Sequence, residues 1–314
     1  MLKDLLESKK CFKLVCGAGN EDIEIIKRLV YVYALAGCRF FDISANQDVL
    51  DGTRESLEKA GITDTCISVS IGIKGDPHSN KAVIDYNKCI NCGSCESVCP
   101  QGAIHFAKVK KNKCIGCGRC WKVCPRAAIS YIPEEKKLDE VLPVLINKGI
   151  DCIEFHVDGQ DENEIFTKWN YINSVYNGFL SICISRGKIG DEALVNRIKK
   201  MIEKRNPYTI IVQADGFPMS GGSDDYKTTL QAVATAEIVQ NANLPVYLML
   251  SGGTNSKTTK LANTCEINYN AVAIGSYARK IIKQYIERED FWTNSYVIED
   301  ALNIAKPLVD SVIS

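Results

Sequence analysis

Two short stretches constrain this chain more than anything else in it. CINCGSCESVCPQGAI begins at Cys89 and CIGCGRCWKVCPRAAI at Cys114, an internal repeat with a period of 25 residues. Each reads C-x2-C-x2-C-x3-C-P. Together they hold eight of the 15 cysteines: Cys89, Cys92, Cys95 and Cys99 in the first run, Cys114, Cys117, Cys120 and Cys124 in the second. A chain of 314 residues buries a large core without covalent staples. Its opening, MLKDLLESKKCFKLVCGAG, puts charges where a signal peptide carries its apolar segment. The expected setting is the cytoplasm, where so many thiols serve metal or redox chemistry rather than disulfides.

The doubled run is that of bacterial ferredoxins, in which the first three cysteines ligate one [4Fe-4S] cluster and the fourth ligates the other. That rule predicts two [4Fe-4S] clusters. Cys89, Cys92, Cys95 and Cys124 take the first, and Cys114, Cys117, Cys120 and Cys99 the second. Gaps of two residues let a tight loop set three thiolates on adjacent corners of a cube. Gly93 and Gly118 are expected to leave room for backbone N–H groups to face the sulfurs. Pro100 and Pro125 then steer the chain away from each cluster. Zinc knuckles also use C-x2-C pairs, but zinc does not call for three cysteines and then x3-C-P, twice over.

Outside the runs, Lys+Arg and Asp+Glu balance at 38 each, so no global field favours nucleic acid or an anionic membrane. No apolar run reaches the length of a membrane span. The cluster module is expected over 76–132, splitting a second unit into 1–75 and 133–314. Without the module about 257 residues remain, the size of a (β/α)8 barrel. Strand-like runs fall at 12–17, 39–45, 66–73, 152–159, 179–187, 209–216, 245–253 and 270–278, with helix-like stretches between them. That alternation predicts an α/β fold: a (β/α)8 TIM-type barrel with the ferredoxin-like module inserted after the third strand, on the face where active sites form. A doubly wound open sheet is the alternative.

Side chains alternate along a strand, so one parity faces the helices and the other the lumen. Ile153, Phe155 and Val157 oppose Glu154, His156 and Asp158; Ile210, Val212 and Ala214 oppose Gln213 and Asp215. With Lys13 and Asp42 on the same side, the lumen holds polar groups where a barrel ordinarily packs Val, Ile and Leu. Burying them costs several kcal/mol unless they pair or meet a ligand. One reading is an internal ion-pair network. The other is an active site, with His156 and Asp158 as acid/base candidates beside Glu154, Asp42 and Asp215, and Lys13 or Gln213 orienting a substrate. His78 and His105 fall in or beside the module and are given no such role.

The seventh and eighth strands end in Gly252-Gly253-Thr254-Asn255 and Gly275-Ser276, where barrels commonly seat a phosphate. FMN or another phosphate-bearing ligand is therefore a candidate, with Arg279 and Lys280 complementing its charge. Residues 216–227 form a Gly-rich loop of the kind that serves as a lid. Gly17-Ala18-Gly19 resembles a dinucleotide loop, but Asp22 replaces its third glycine, and that reading is dropped.

The stretch CFKLVCGAGNEDIEIIKRLVYVYALAGCRFFDISANQDVL, the two cysteine runs, and the late SGGTN and GSYARK segments together resemble the light-dependent period protein family. The resemblance implies iron–sulfur binding and redox sensing of the kind described for the cyanobacterial clock, and it carries no catalytic residues. Two functions stay open. One is a ferredoxin-linked oxidoreductase in which the clusters pass electrons to a small-molecule substrate or flavin at the C-terminal mouth of the barrel. The other is a redox sensor or electron-transfer partner whose barrel is not catalytic. A redox partner protein (ferredoxin, flavodoxin or reductase) is a candidate in either case; in the second, Lys108, Lys110, Lys111 and Lys113 between the cluster runs would guide an acidic one, although such runs are usually solvated.

Overall fold

The structure, a computed structural model, describes residues 1–17, 19–73, 80–134, 137–159, 161–216 and 223–314. The expected module start at Asp76, His78, Ala18 and residues 217–222 of the Gly-rich loop lie outside them. Eight parallel strands close a barrel: β1 (Cys11–Val15), β2 (Phe40–Ser44), β3 (Cys66–Ile71), β8 (Cys152–His156), β9 (Phe179–Ser185), β10 (Ile210–Asp215), β11 (Tyr247–Ser251) and β12 (Ala271–Ile274), with β1 pairing β12. Each barrel strand pairs with the next in chain order, as right-handed βαβ crossovers dictate. The open-sheet alternative is thereby excluded.

The alternation read in the sequence decides what each strand buries. Leu14, Phe41, Val69, Phe155, Ile182, Val212 and Ile274 sit in one continuous core between strands and helices. Removing each from water contributes about 1.5–3 kcal/mol. Helices start where short polar side chains cap them: Asp22 accepts from Ile25 N–H at α2 (Ile23–Leu35), and Asn46 from Asp48 and Val49 N–H at α3 (Gln47–Lys59). The opposite strand face is layered. Its floor is apolar, with Cys11, Phe40, Cys66, Cys152, Ile211 and Tyr247 closed from below by Leu2 and Leu6 of α1 (Leu2–Glu7). Above that floor the lumen turns polar.

Between Ile71 and Leu138 the chain leaves the barrel. There β4 (Asn80–Ile84) pairs antiparallel with β7 (Ile129–Pro133), bracketing two short helices, α4 (Ser94–Ser97) and α5 (Arg119–Val123), and a hairpin of β5 (Ile104–His105) and β6 (Lys108–Val109). The barrel resumes through α6 (Leu138–Asn147). Later helices are α7 (Glu162–Val175), α8 (Arg186–Ile189), α9 (Asp191–Ile202), α10 (Tyr226–Asn241), α11 (Thr258–Thr264), α12 (Ser276–Ile286) and α13 (Ser295–Ile313). Among the described residues no helix is long and apolar enough to cross a membrane.

Candidate functional site

The module gathers its thiols crosswise. Cys89, Cys92 and Cys95 line one cavity of ≈ 440 Å³ together with Cys124, from the other end of the module. Cys99 instead lies within electrostatic reach of Cys117, as does Cys114, and Cys114 and Cys117 both act on Cys120. Each fourth cysteine follows a short helix, Cys99 after α4 and Cys124 after α5. Backbone N–H groups already face the sulfurs, with Ala103 donating to Cys99 at 3.2 Å, Ala128 to Cys124 and Ala82 to Cys114 at 3.3 Å. Tyr131 Oη lies 3.3 Å from Cys120 Sγ. Four-thiol sets with amide donors fit iron–sulfur clusters. Gly93 and Gly118 serve a conformational need rather than a spatial one. A Cβ would meet no protein atom within 4 Å at either, but their φ angles of 74° and 79° are left-handed.

The module is fastened over the barrel mouth. Lys81 of β4, buried, donates from Nζ to Gly19 O at 2.8 Å, after β1, and to Cys114 O at 2.9 Å. Glu21 N–H donates to Asn112 O at 2.7 Å, and Lys283 of α12 to Pro100 O at 2.8 Å. Of the lysines read as a guide for partners, Lys113 pairs with Asp22 at 2.9 Å, and Lys111 with Glu134 at 3.4 Å on the exposed surface.

The mouth itself holds a cavity of ≈ 80 Å³. Asp42, Glu154, His156, Cys183 and Asp215 line it, together with Gly252, Gly253, Thr254, Gly275 and Ser276 and, from the module, Ile115. Beneath it Lys13, fully buried, pairs with Glu154 Oε2 and lies 3.4 Å from Asp42 Oδ1 and 3.5 Å from Gln213 Oε1. Gln213 Nε2 donates to Ser181 Oγ at 3.0 Å, and Ser70 Oγ to Asp42 at 2.8 Å. His156 Nε2 and Glu154 Oε1 are 2.8 Å apart. The ion-pair network and the site are thus one assembly, with Lys13 and Gln213 under the cavity rather than in its wall.

The charges respond to one another. Burial first, then the Glu154 charge, pushes Asp42 up to about 6, against the pull of Lys13 and the hydrogen bond from Ser70. Burial would also raise Glu154, but Lys13 and His156 hold it well below the usual carboxylate range. Burial pushes the Cys183 thiol far up, and Asp215, Glu154 and Asp158 add to this.

Other expected site residues stand elsewhere. Asp158 accepts from Ser185 N–H at 2.6 Å and Ser185 Oγ at 2.9 Å, fixing the turn from β9 into α8, and it does not line the cavity. Asn255 does not either: its Nδ2 donates to Ser223 O, Asp225 O and Thr228 Oγ1, and its Oδ1 accepts from Lys257 N–H. Thr254 Oγ1 donates to Ala273 O. Gly252 has the left-handed φ, 70°, that a tight turn needs, yet a Cβ there would lie 1.9 Å from Asp215 Oδ1. A carboxylate therefore stands where a phosphate was expected. Positive charge gathers instead in a neighbouring cavity of ≈ 290 Å³ between module and α12, lined by Arg119, Arg279, Lys280 and Lys283. Lys81 and Ile115 carried no signal in the sequence, since both owe their place to docking of the module. In the run 179–187 Cys183 alternates with Ile182 and Ile184, and nothing else in the sequence marks it.

Barrel and cysteine runs together define an iron–sulfur protein built on a (β/α)8 scaffold. Residues 144–311 match the family described as the Light dependent period A C-terminal domain, and residues 82–131 match the 4Fe-4S dicluster domain. Light dependent period A of Synechococcus elongatus is 30% identical over 261 residues, 81% of this chain and 74% of that protein. The chain belongs to the Light dependent period A family. Among solved structures, an aminoacrylate- and BRD0059-bound tryptophan synthase from M. tuberculosis is similar in fold alone, with a TM-score of 0.50, 11% identity, and 99% of this chain and 96% of that chain covered.

Proposed function

We propose that this protein is a redox enzyme that uses two [4Fe-4S] clusters, held by Cys89, Cys92, Cys95, Cys124 and by Cys114, Cys117, Cys120, Cys99, to reduce or oxidise a small substrate at the barrel mouth. When bound, the clusters supply electrons singly. The observation that carries the reading is Ile115, which follows the ligand candidate Cys114 directly and lines the mouth cavity with Glu154, His156 and Asp215. Lys81 holds that loop on the mouth by its bonds to Cys114 O and Gly19 O. His156 and Glu154 hold a proton between Nε2 and Oε1, while Lys13, itself held by Gln213 Oε1, fixes the carboxylates from below. A ligand pocket usually spans about 300–1,000 Å³. At ≈ 80 Å³ and with Asp215 against Gly252, the mouth does not fit FMN, so no step is routed through a flavin.

The test is an anaerobic preparation examined by iron and sulfide analysis, EPR and ligand mass spectrometry. About eight irons per chain are expected, with no flavin. Cys99→Ser should damage the cluster of the second run and Cys124→Ser that of the first. About four irons in the wild type, or a stoichiometric flavin, would overturn the reading. A second reading, a redox sensor, is favoured by the module's outer face. Phe106 is 81% exposed at φ 45° and Ile90 59% exposed, and both line the cavity of the first thiol set. They suit docking of a redox partner. Partner capture that tracks cluster oxidation state without any turnover would select this reading over the enzyme.

A further inference from the structure

The barrel mouth carries a mixed donor set distinct from the cluster thiols. Glu154, His156 and Cys183 bring a carboxylate oxygen, a ring nitrogen and a sulfur to within 4.8 Å of one another. The barrel register fixes them there. Cys183 of β9 is the Cα partner of His156 on β8, and Glu154 lies two residues earlier on the same lumen face. Glu154 and Cys183 are 4% and 6% exposed, and all three line the mouth cavity. The Cys183 thiol makes no hydrogen bond among the described residues, although it faces that cavity. Lys13 engages Oε2 of Glu154, which aims Oε1 toward His156.

We propose that Glu154, His156 and Cys183 form a mononuclear site for a divalent transition metal of the zinc class, separate from the iron–sulfur clusters. The donor types suit it: mixed nitrogen, sulfur and carboxylate ligands select a borderline-soft ion such as Zn²⁺ over Mg²⁺ or Ca²⁺, which take oxygen alone. A tetrahedral ion with bonds of about 2.0–2.3 Å sets its ligand atoms roughly 3.3–3.8 Å apart. The three donors, within 4.8 Å of one another, lie about 1 Å from that spacing. Three protein ligands leave a fourth position, and here it opens into the cavity of ≈ 80 Å³. That is room for a few waters at roughly 10–15 Å³ each. An open fourth position is the arrangement of catalytic rather than structural zinc.

The surroundings favour a cation. Asp42 and Asp215 line the same cavity, and Lys13 and Arg279 are the cations beside them. The ion takes the place of the proton shared by His156 and Glu154, and its charge deprotonates the thiol, so one or two protons leave as it binds. Lys13 and, through it, Asp42 and Gln213 are then positioning residues for the ligand Glu154. The site does not depend on electrons reaching the mouth, so it can stand or fall apart from the function proposed above.

The test uses full-length, cluster-loaded protein with its clusters oxidised, titrated anaerobically with Co²⁺ as the probe. One equivalent should bind beyond the cluster metal, with a near-ultraviolet thiolate-to-cobalt difference band. Cys183→Ser should abolish the band, and His156→Gln should weaken binding at least tenfold, with iron content and circular dichroism unchanged in both. Zn²⁺ added first should block the band. Absence of a stoichiometric Co²⁺ site overturns the proposal. So does a band that persists in Cys183→Ser, because the cobalt would then sit on cluster cysteines.

Discussion

At the scale of single residues, backbone and charge act at different ends of the molecule. Gly93 and Gly118 each precede a one-turn helix in the left-handed region, where an L side chain costs about 1–2 kcal/mol. Gly93→Ala should lower the iron retained by the first thiol set and Gly118→Ala that of the second, each leaving the other near full occupancy. EPR of the reduced protein distinguishes the two. In the mouth, Asp42 faces Lys13 of β1, Ser70 of β3, and Glu154 and His156 of β8. Its folded pKa, about 6, lies above its ordinary 3.8, so the folded state keeps a proton that the unfolded chain has lost. That contribution to stability is full below about 4 and is lost as pH rises to 6, with a slope near 1.4 kcal/mol per pH unit for one proton. Between about pH 4 and 6, Asp42→Asn should therefore remove a downward slope in unfolding free energy that the wild type shows. Denaturant titrations at three pH values check it. Equal slopes in both proteins would mean that Asp42 titrates normally.

At the scale of elements, the strands were legible because their two faces differ in chemistry. Ile153 and Phe155 against Glu154 and His156 is a period-two pattern that helices cannot imitate, and register then carried Cys183 beside His156. The polar lumen was legible for the same reason, but its partition was not. Lys13 lies below the cavity and Asp158 beside it, and both depend on layer height, which alternation does not encode. The apolar floor was hidden as well, since α1 becomes a plug only once the barrel exists to be closed. Lys81 is the clearest case. It sits in NKAVIDY with nothing to distinguish it from an exposed strand lysine, yet it is 4% exposed between two carbonyls. Lys81→Met leaves both carbonyls without that donor, at a cost of about 1–3 kcal/mol. The expected result is a shifted EPR signal for the set containing Cys114, with the set containing Cys89 unchanged. Identical shifts in both would show that Lys81 acts on the module as a whole.

For the whole molecule, the question is how a barrel tolerates a long excursion between its third and fourth strands. β3 still pairs with β8 along Ser68–Cys152 through Ile71–Phe155, as though nothing intervened. The answer lies at the module's base, where β4 and β7 pair antiparallel with Asn80 opposite Pro133. Opposed residues in such a ladder have Cα atoms about 4.5–5.5 Å apart, so the folded module presents the barrel with two ends already together. The loop-closure cost, about 0.6 kcal/mol per doubling of a flexible loop, is therefore met inside the module. Replacing residues 74–137 by a short Gly/Ser linker should then leave a barrel that unfolds cooperatively and binds no cluster iron. What it loses is the fastening at Gly19, Glu21, Asp22 and Lys283. These are mostly polar contacts at the rim, worth on the order of 1–2 kcal/mol together, or roughly 2–8 °C in Tm for a domain of this size. Circular dichroism melts and the Co²⁺ titration read both ends of the argument. A cooperative melt with the cobalt band retained means that the mouth is built by the barrel alone; loss of the melt means that the module is part of the barrel's fold.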